Sequence, residues 1–145
     1  MKRLVLVILS VVAGCTTTTV VPVTNELLSV VCIVRNADVN VDDFVSVVQA
    51  RFAYHGIRTR LMDGQPPPST CLYTLDYTAD RWWDVAPYMV DAQIFLKKNN
   101  EVIASGHYHL NGHGGFDMAK WEGTASKLNP VIDQMLAAYH RQPAG

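Results

Sequence analysis

The chain has 145 residues, 49% of them hydrophobic and 17% charged, with a formal net charge of −1. That is enough chain to bury one sizeable core and too little for two ordinary domains. A balance this close to neutral argues against a nucleic-acid binder and gives no pull toward anionic lipid.

Lys2 and Arg3 precede an apolar run from Leu4 to Val12, interrupted only by Ser10, and Val12-Ala13-Gly14-Cys15 follows. This is the layout of a secretory signal peptide. The run is too short to span a bilayer, which takes about 20 residues of helix. The small pair Ala13-Gly14 ending on Cys15 resembles the lipobox of bacterial lipoproteins. That resemblance implies a diacylglyceryl group on the Cys15 thiol, cleavage before it, and acylation of the new amino group. Two or more acyl chains hold a protein stably on a membrane, where one holds it only marginally. The plainer alternative is a secreted protein cleaved near Gly14, with Cys15 incidental. Removing residues 1–14 takes away Lys2 and Arg3 and no acidic residue, leaving ten basic against thirteen acidic side chains. Lipid, not charge, would therefore do the holding. Thr16 after the cysteine resembles the sorting signal of Gram-negative outer-membrane lipoproteins, which implies the periplasmic face of the outer membrane rather than the inner membrane.

Residues 1–14 thus read as a signal peptide and 15–26 as the lipidated cysteine with a flexible tether. Residues 27–140 read as one globular domain and 141–145 as a tail. Thr16 to Glu26 shows no periodicity with a buried face. Leu28 to Val34 is a β-branched apolar run, a strand buried on both sides. Asn40 is placed as a helix N-cap, and Val41, Phe44, Val45, Val48 and Phe52 recur at helical spacing up to a stop at Gly56. The spacing predicts a helix over 41–55. Ile57, Thr59 and Leu61 alternate with Arg58 and Arg60; Tyr73, Leu75 and Tyr77 alternate in a strand starting near Cys71. Tyr88 to Leu96 and Val102 to Leu110 predict two further strands around the turn signal Lys98-Asn99-Asn100-Glu101. A last helix carries Trp121, Ala125, Leu128, Ile132, Met135, Leu136 and Tyr139 on one side, read as one helix kinked at Pro130 rather than two broken at Asn129. The order is β-α-β-β-β-β-α, an α+β fold with a mostly antiparallel five-stranded sheet and two helices on one face.

Val31-Cys32-Ile33 with Asn36, the run Cys71 to Thr78, Trp83-Asp84 with Tyr88, and Lys120-Trp121 leading into Pro130 to Asp133 carry a second resemblance. In these pieces the chain resembles a small family of bacterial lipoproteins of unknown function, the Sbal-type or YafY/YfjS-like lipoproteins. The resemblance implies a membrane-anchored envelope protein and brings no catalytic residues with it.

With Cys15 lipidated, Cys32 and Cys71 remain. In an oxidising compartment such a pair is usually bonded; two buried free thiols are the alternative. His107, His109 and His113 form the one histidine cluster. Residues two apart on a strand share a face, so this set is a candidate metal site, against a solvated strand face. Trp82, Trp83 and Tyr88 are the candidate interaction residues, since an exposed Trp is a common interface anchor. Strand alternation predicts one of the two tryptophans in the core and the other on the surface. No nucleophile elbow, phosphate loop or paired-carboxylate motif is present, and Asp42-Asp43 fits a helix start. The expectation is a non-enzymatic envelope lipoprotein, without cofactor, that binds another envelope protein as an accessory or assembly factor. The rival is a small-ligand or metal binder using the histidine strand.

Overall fold

The computed structural model describes residues 16–139. The leader, Cys15, His140 and the tail lie outside them. In chain order the elements are β1 (Thr16–Val21), β2 (Val30–Val34), α1 (Phe44–Tyr54), β3 (Arg58–Met62), β4 (Tyr73–Asp84), β5 (Ala86–Lys98), β6 (Glu101–Leu110) and α2 (Thr124–Met135). They form an α+β fold with one six-stranded sheet in the order β1-β6-β5-β4-β2-β3.

Two features of that sheet differ from the sequence expectation. The stretch read as flexible tether supplies a strand: Thr16 to Val21 pairs antiparallel with β6, from Thr16 opposite Leu110 to Val21 opposite Ser105. Five of its six side chains are exposed, so no buried face marks it. Backbone pairing holds it, helped by the strand preference of Thr and Val. The sheet is also mixed. β2 runs parallel to both β3 and β4, and α1 is the crossover that joins β2 to β3, as a parallel pair requires. The β4–β5, β5–β6 and β1–β6 pairs are antiparallel.

The hairpin between β5 and β6 turns on Asn99 and Asn100, both at positive φ, the backbone that a two-residue turn demands and Asn tolerates. Helix α1 is shorter than predicted. Its N-cap is Asp43, whose side chain makes no capping bond and instead accepts from Thr124 Oγ1 at 2.7 Å, so the first turn is tied to α2. Its end matches the expectation: Gly56 sits at φ 78° and donates to Ala53 O. Helix α2 runs unbroken through Pro130.

Phe44, Val48 and Phe52 of α1 and Leu128, Val131, Ile132 and Met135 of α2 join Val31, Ile33, Leu75, Tyr77, Ile94, Leu96, Ala104 and Tyr108 of the sheet in one core. Gly106 is where α2 comes closest to β6. A Cβ there would lie 2.5 Å from Val131 Cγ1 and 2.7 Å from Met135 Sδ. Gly106→Val should therefore cost about 1–3 kcal/mol in unfolding free energy by overpacking; unchanged stability in chemical denaturation would mean α2 packs elsewhere.

The helices are locked together by Asp133 of α2. Arg51 of α1 donates to both its carboxylate oxygens, and His55 Nε2 lies 2.7 Å from Oδ1. The Arg51 hydrogen bond, opposed by burial and aided by His55, holds the Asp133 carboxyl below its ordinary value. A carboxylate with a depressed folded-state pKa stabilises above the unfolded value and loses that contribution as pH falls through the folded one. Unfolding free energy should fall below about pH 4, and less steeply in Asp133→Asn; identical acid limbs would remove Asp133 from the account.

Candidate functional site

The sheet is uneven at one end, and that end carries the unusual chemistry. β6 pairs with β5 only as far as Asp91 opposite His109, and β2 reaches β4 only over Val31 to Ile33. Beyond these points the arms Arg81–Asp84 and Ala86–Met89 continue as a two-stranded ribbon. A register shift after Asp80 leaves Val90 as an extra residue on β5, which increases local twist. At the tip Val85 adopts φ 62°, a conformation that β-branched residues avoid.

An isolated ribbon is marginally stable; here two buried lysines support it. Lys120 Nζ donates to Asp84 Oδ2 at 2.6 Å and Gly115 O at 2.9 Å, and lies 4.3 Å from the Trp121 ring centroid. Trp121 Nε1 donates to Asp84 O at 3.1 Å. Lys127 of α2 donates to Met89 O at 3.1 Å and to Lys120 O. Burial pushes the Lys127 ammonium below its ordinary pKa. Gly114 is needed on two counts: φ is +80°, and a Cβ would lie 2.7 Å from Lys120 Cβ.

This scaffold leaves an apolar surface open to solvent. Trp82 is 53% exposed, Trp83 69% and Val85 81%, while Phe116 and Met118 on the supporting segment are almost bare. Neither tryptophan is in the core, contrary to the alternation argument. Both lie on the overhanging ribbon, where no second layer covers either face completely. Trp82 rests on His113, ring centroids 4.5 Å apart. Tyr88 is a correction in the other direction. It is buried, donates from its hydroxyl to His113 O at 3.1 Å and packs edge-on against Trp121, so it positions the ribbon rather than meeting a partner.

The histidines separate. His107 and His109 share the outer face of β6 and converge on one oxygen, Asp91 Oδ2, at 2.7 and 2.9 Å. Burial works to raise the Asp91 carboxyl, and the hydrogen bonds from the two imidazoles outweigh it, leaving its pKa below the ordinary value. His113 is drawn away to Trp82 by the turn at Asn111–Gly114. Asp91 was readable only as an outer-face residue; its place opposite His109 depends on the β5–β6 register. Val85, Phe116 and Met118 carry no motif and would emerge only from the ribbon's overhang. Cys32 and Cys71 lie at disulfide distance, with Cα atoms 6.2 Å apart, inside the normal range for a bonded pair.

No protein-family model and no curated protein matches this chain. Among solved structures, two dodecamers of PelC from Paraburkholderia phytofirmans, one a single-site variant, share its fold at a TM-score of 0.58 each. They are 16% and 15% identical to this chain; each match covers 86% of this chain and 99% of the PelC chain.

Proposed function

We propose that this chain is a lipid-anchored protein of the cell envelope, without catalytic activity, that stands on the bilayer on its aromatic end and acts by binding protein. The observation that carries this reading is the coincidence of two features at one end of the sheet. β1 begins at Thr16, opposite Leu110, so the residue that precedes it, Cys15, is one peptide bond from that end. Leu110 leads into the turn that Trp82 rests on, and Asn111 Nδ2 donates to Thr17 Oγ1 at 2.9 Å. An acyl anchor on Cys15 would therefore bring Trp82, Trp83 and Val85 to the membrane surface. Trp is favoured at the headgroup level, where its ring is apolar and its N–H stays wet, and apolar contact adds to what the acyl chains supply.

The outer-membrane address rests on Thr16 and belongs to the same proposal. For the protein partner, a second copy of the chain comes first, since the similar PelC structures are dodecamers. Intact mass and fractionation of the native protein test the anchor: a triacylated chain beginning at Cys15 and sedimenting with outer membrane is expected. Cys15→Ser should stay unprocessed and unacylated. Recovery of wild type as an unacylated soluble chain would refute the anchor. Crosslinking in intact cells tests the contact; a ladder of homo-oligomers is expected, and a monomer without crosslinked partners would refute it.

A further inference from the structure

The geometry points to a divalent transition-metal site, with Zn²⁺ the best-fitting ion, built from Asp91, His107 and His109 on the outer face of the sheet. The three donor atoms lie within 4.8 Å of one another, and they come from adjacent strands whose register places Asp91 directly across from His109. Two imidazoles and one carboxylate are the donor set of open zinc sites, with three protein ligands and a fourth position left for water or another group. The same set on one face suits non-haem iron, so the metal comparison belongs in the test.

The distances are close to those of a metal site. Both histidine nitrogens now approach a single oxygen at 2.7 and 2.9 Å. Around a tetrahedral ion with bonds near 2.0–2.1 Å, neighbouring ligand atoms stand about 3.3 Å apart. Opening the two nitrogen–oxygen pairs by roughly half an ångström, and bringing the two nitrogens, now within 4.8 Å of each other, to the same spacing, admits the ion. Each histidine is held by its contact with Asp91, and the two rings are tilted 53° to one another, 6.1 Å between centroids. Asp91 is largely covered while both imidazoles reach solvent, which gives an entry path from the open face. Asp80 is paired across from Asp91 and adds negative charge on the same row. His113, the third histidine of the sequence motif, is not a ligand.

Calorimetric titration of the full mature protein in detergent, stripped with chelator and then given Zn²⁺, tests the site. One ion per chain is expected. Replacing His107, His109 or Asp91 by Ala should weaken binding by about 10–100-fold or more, since even outer-shell losses reach that range. His113→Ala and His55→Ala should bind as wild type. Addition of Co²⁺ to wild type gives a readout free of any folding defect: intense visible bands of low-coordinate cobalt are expected. Tighter retention of Fe²⁺ than Zn²⁺ would overturn the choice of ion. No Zn²⁺ binding, a hydrated-ion cobalt spectrum, or stoichiometric binding that survives His107→Ala/His109→Ala would overturn the site.

Discussion

Reducing the Cys32–Cys71 pair should lower unfolding free energy by about 4 kcal/mol. The two residues are 39 apart in sequence, and a link closing a loop of that length removes this much chain entropy from the unfolded state. The loop contains all of α1 and β3, so its loss frees half of the helical layer. Cys32 is fully buried beside Val31 and Ile33, which makes local opening a condition for reduction. Denaturant melts of oxidised and reduced protein measure the difference, and Cys32→Ser/Cys71→Ser should match the reduced form. Equal midpoints would mean the link contributes nothing.

Phe52→Ala is the second large effect, expected at about 3–5 kcal/mol from lost burial and the cavity left behind. Phe52 is completely enclosed, as is its helix neighbour Val48, while Tyr54 two positions on is mostly exposed. Tyr54→Ala should stay within about 0.5 kcal/mol, as surface changes usually do. Comparable losses at the two positions would contradict the assigned face of α1. Phe44, about two turns before Phe52 on the same helix, stacks on Tyr77 at 4.7 Å between centroids, so the same helix face reaches the strand that extends into the ribbon.

That helix face was legible because spacing of 3 and 4 residues leaves a signal in the order of side chains alone. So were most inner residues of β5 and β6, the Asn99-Asn100 turn and the proximity of Cys32 to Cys71; Val102 is half-exposed instead, and the bulge puts Met89 rather than Val90 in the core. What was missed has a common physical origin. β1 is an edge strand held by backbone bonds, and backbone bonds leave no pattern in Thr-Thr-Thr-Thr. The parallel placement of β2 is a property of the crossover, not of any residue. Trp82 and Trp83 obey alternation, but alternation predicts a buried face only where a second layer exists, and the ribbon runs past it. Of the candidate sites, the His107–His109 face could be read from spacing two. Asp91 could not, because cross-strand register joins positions that are distant in sequence. The buried lysines ran against composition: Lys120 and Lys127 look like solvated helix charges until their partners on the ribbon, the Asp84 carboxylate and the Met89 carbonyl, are placed.

The central claim is that the aromatic end meets the bilayer. Reconstituting the protein as isolated from its membrane in vesicles with brominated acyl chains, and measuring tryptophan fluorescence, tests it directly. Trp82 and Trp83 should be strongly quenched. In Trp82→Phe/Trp83→Phe only the signal of Trp121 remains, partly buried with its indole N–H on the Asp84 carbonyl, and quenching should fall well below that of wild type. Wild-type emission that brominated lipid leaves unchanged would contradict the account.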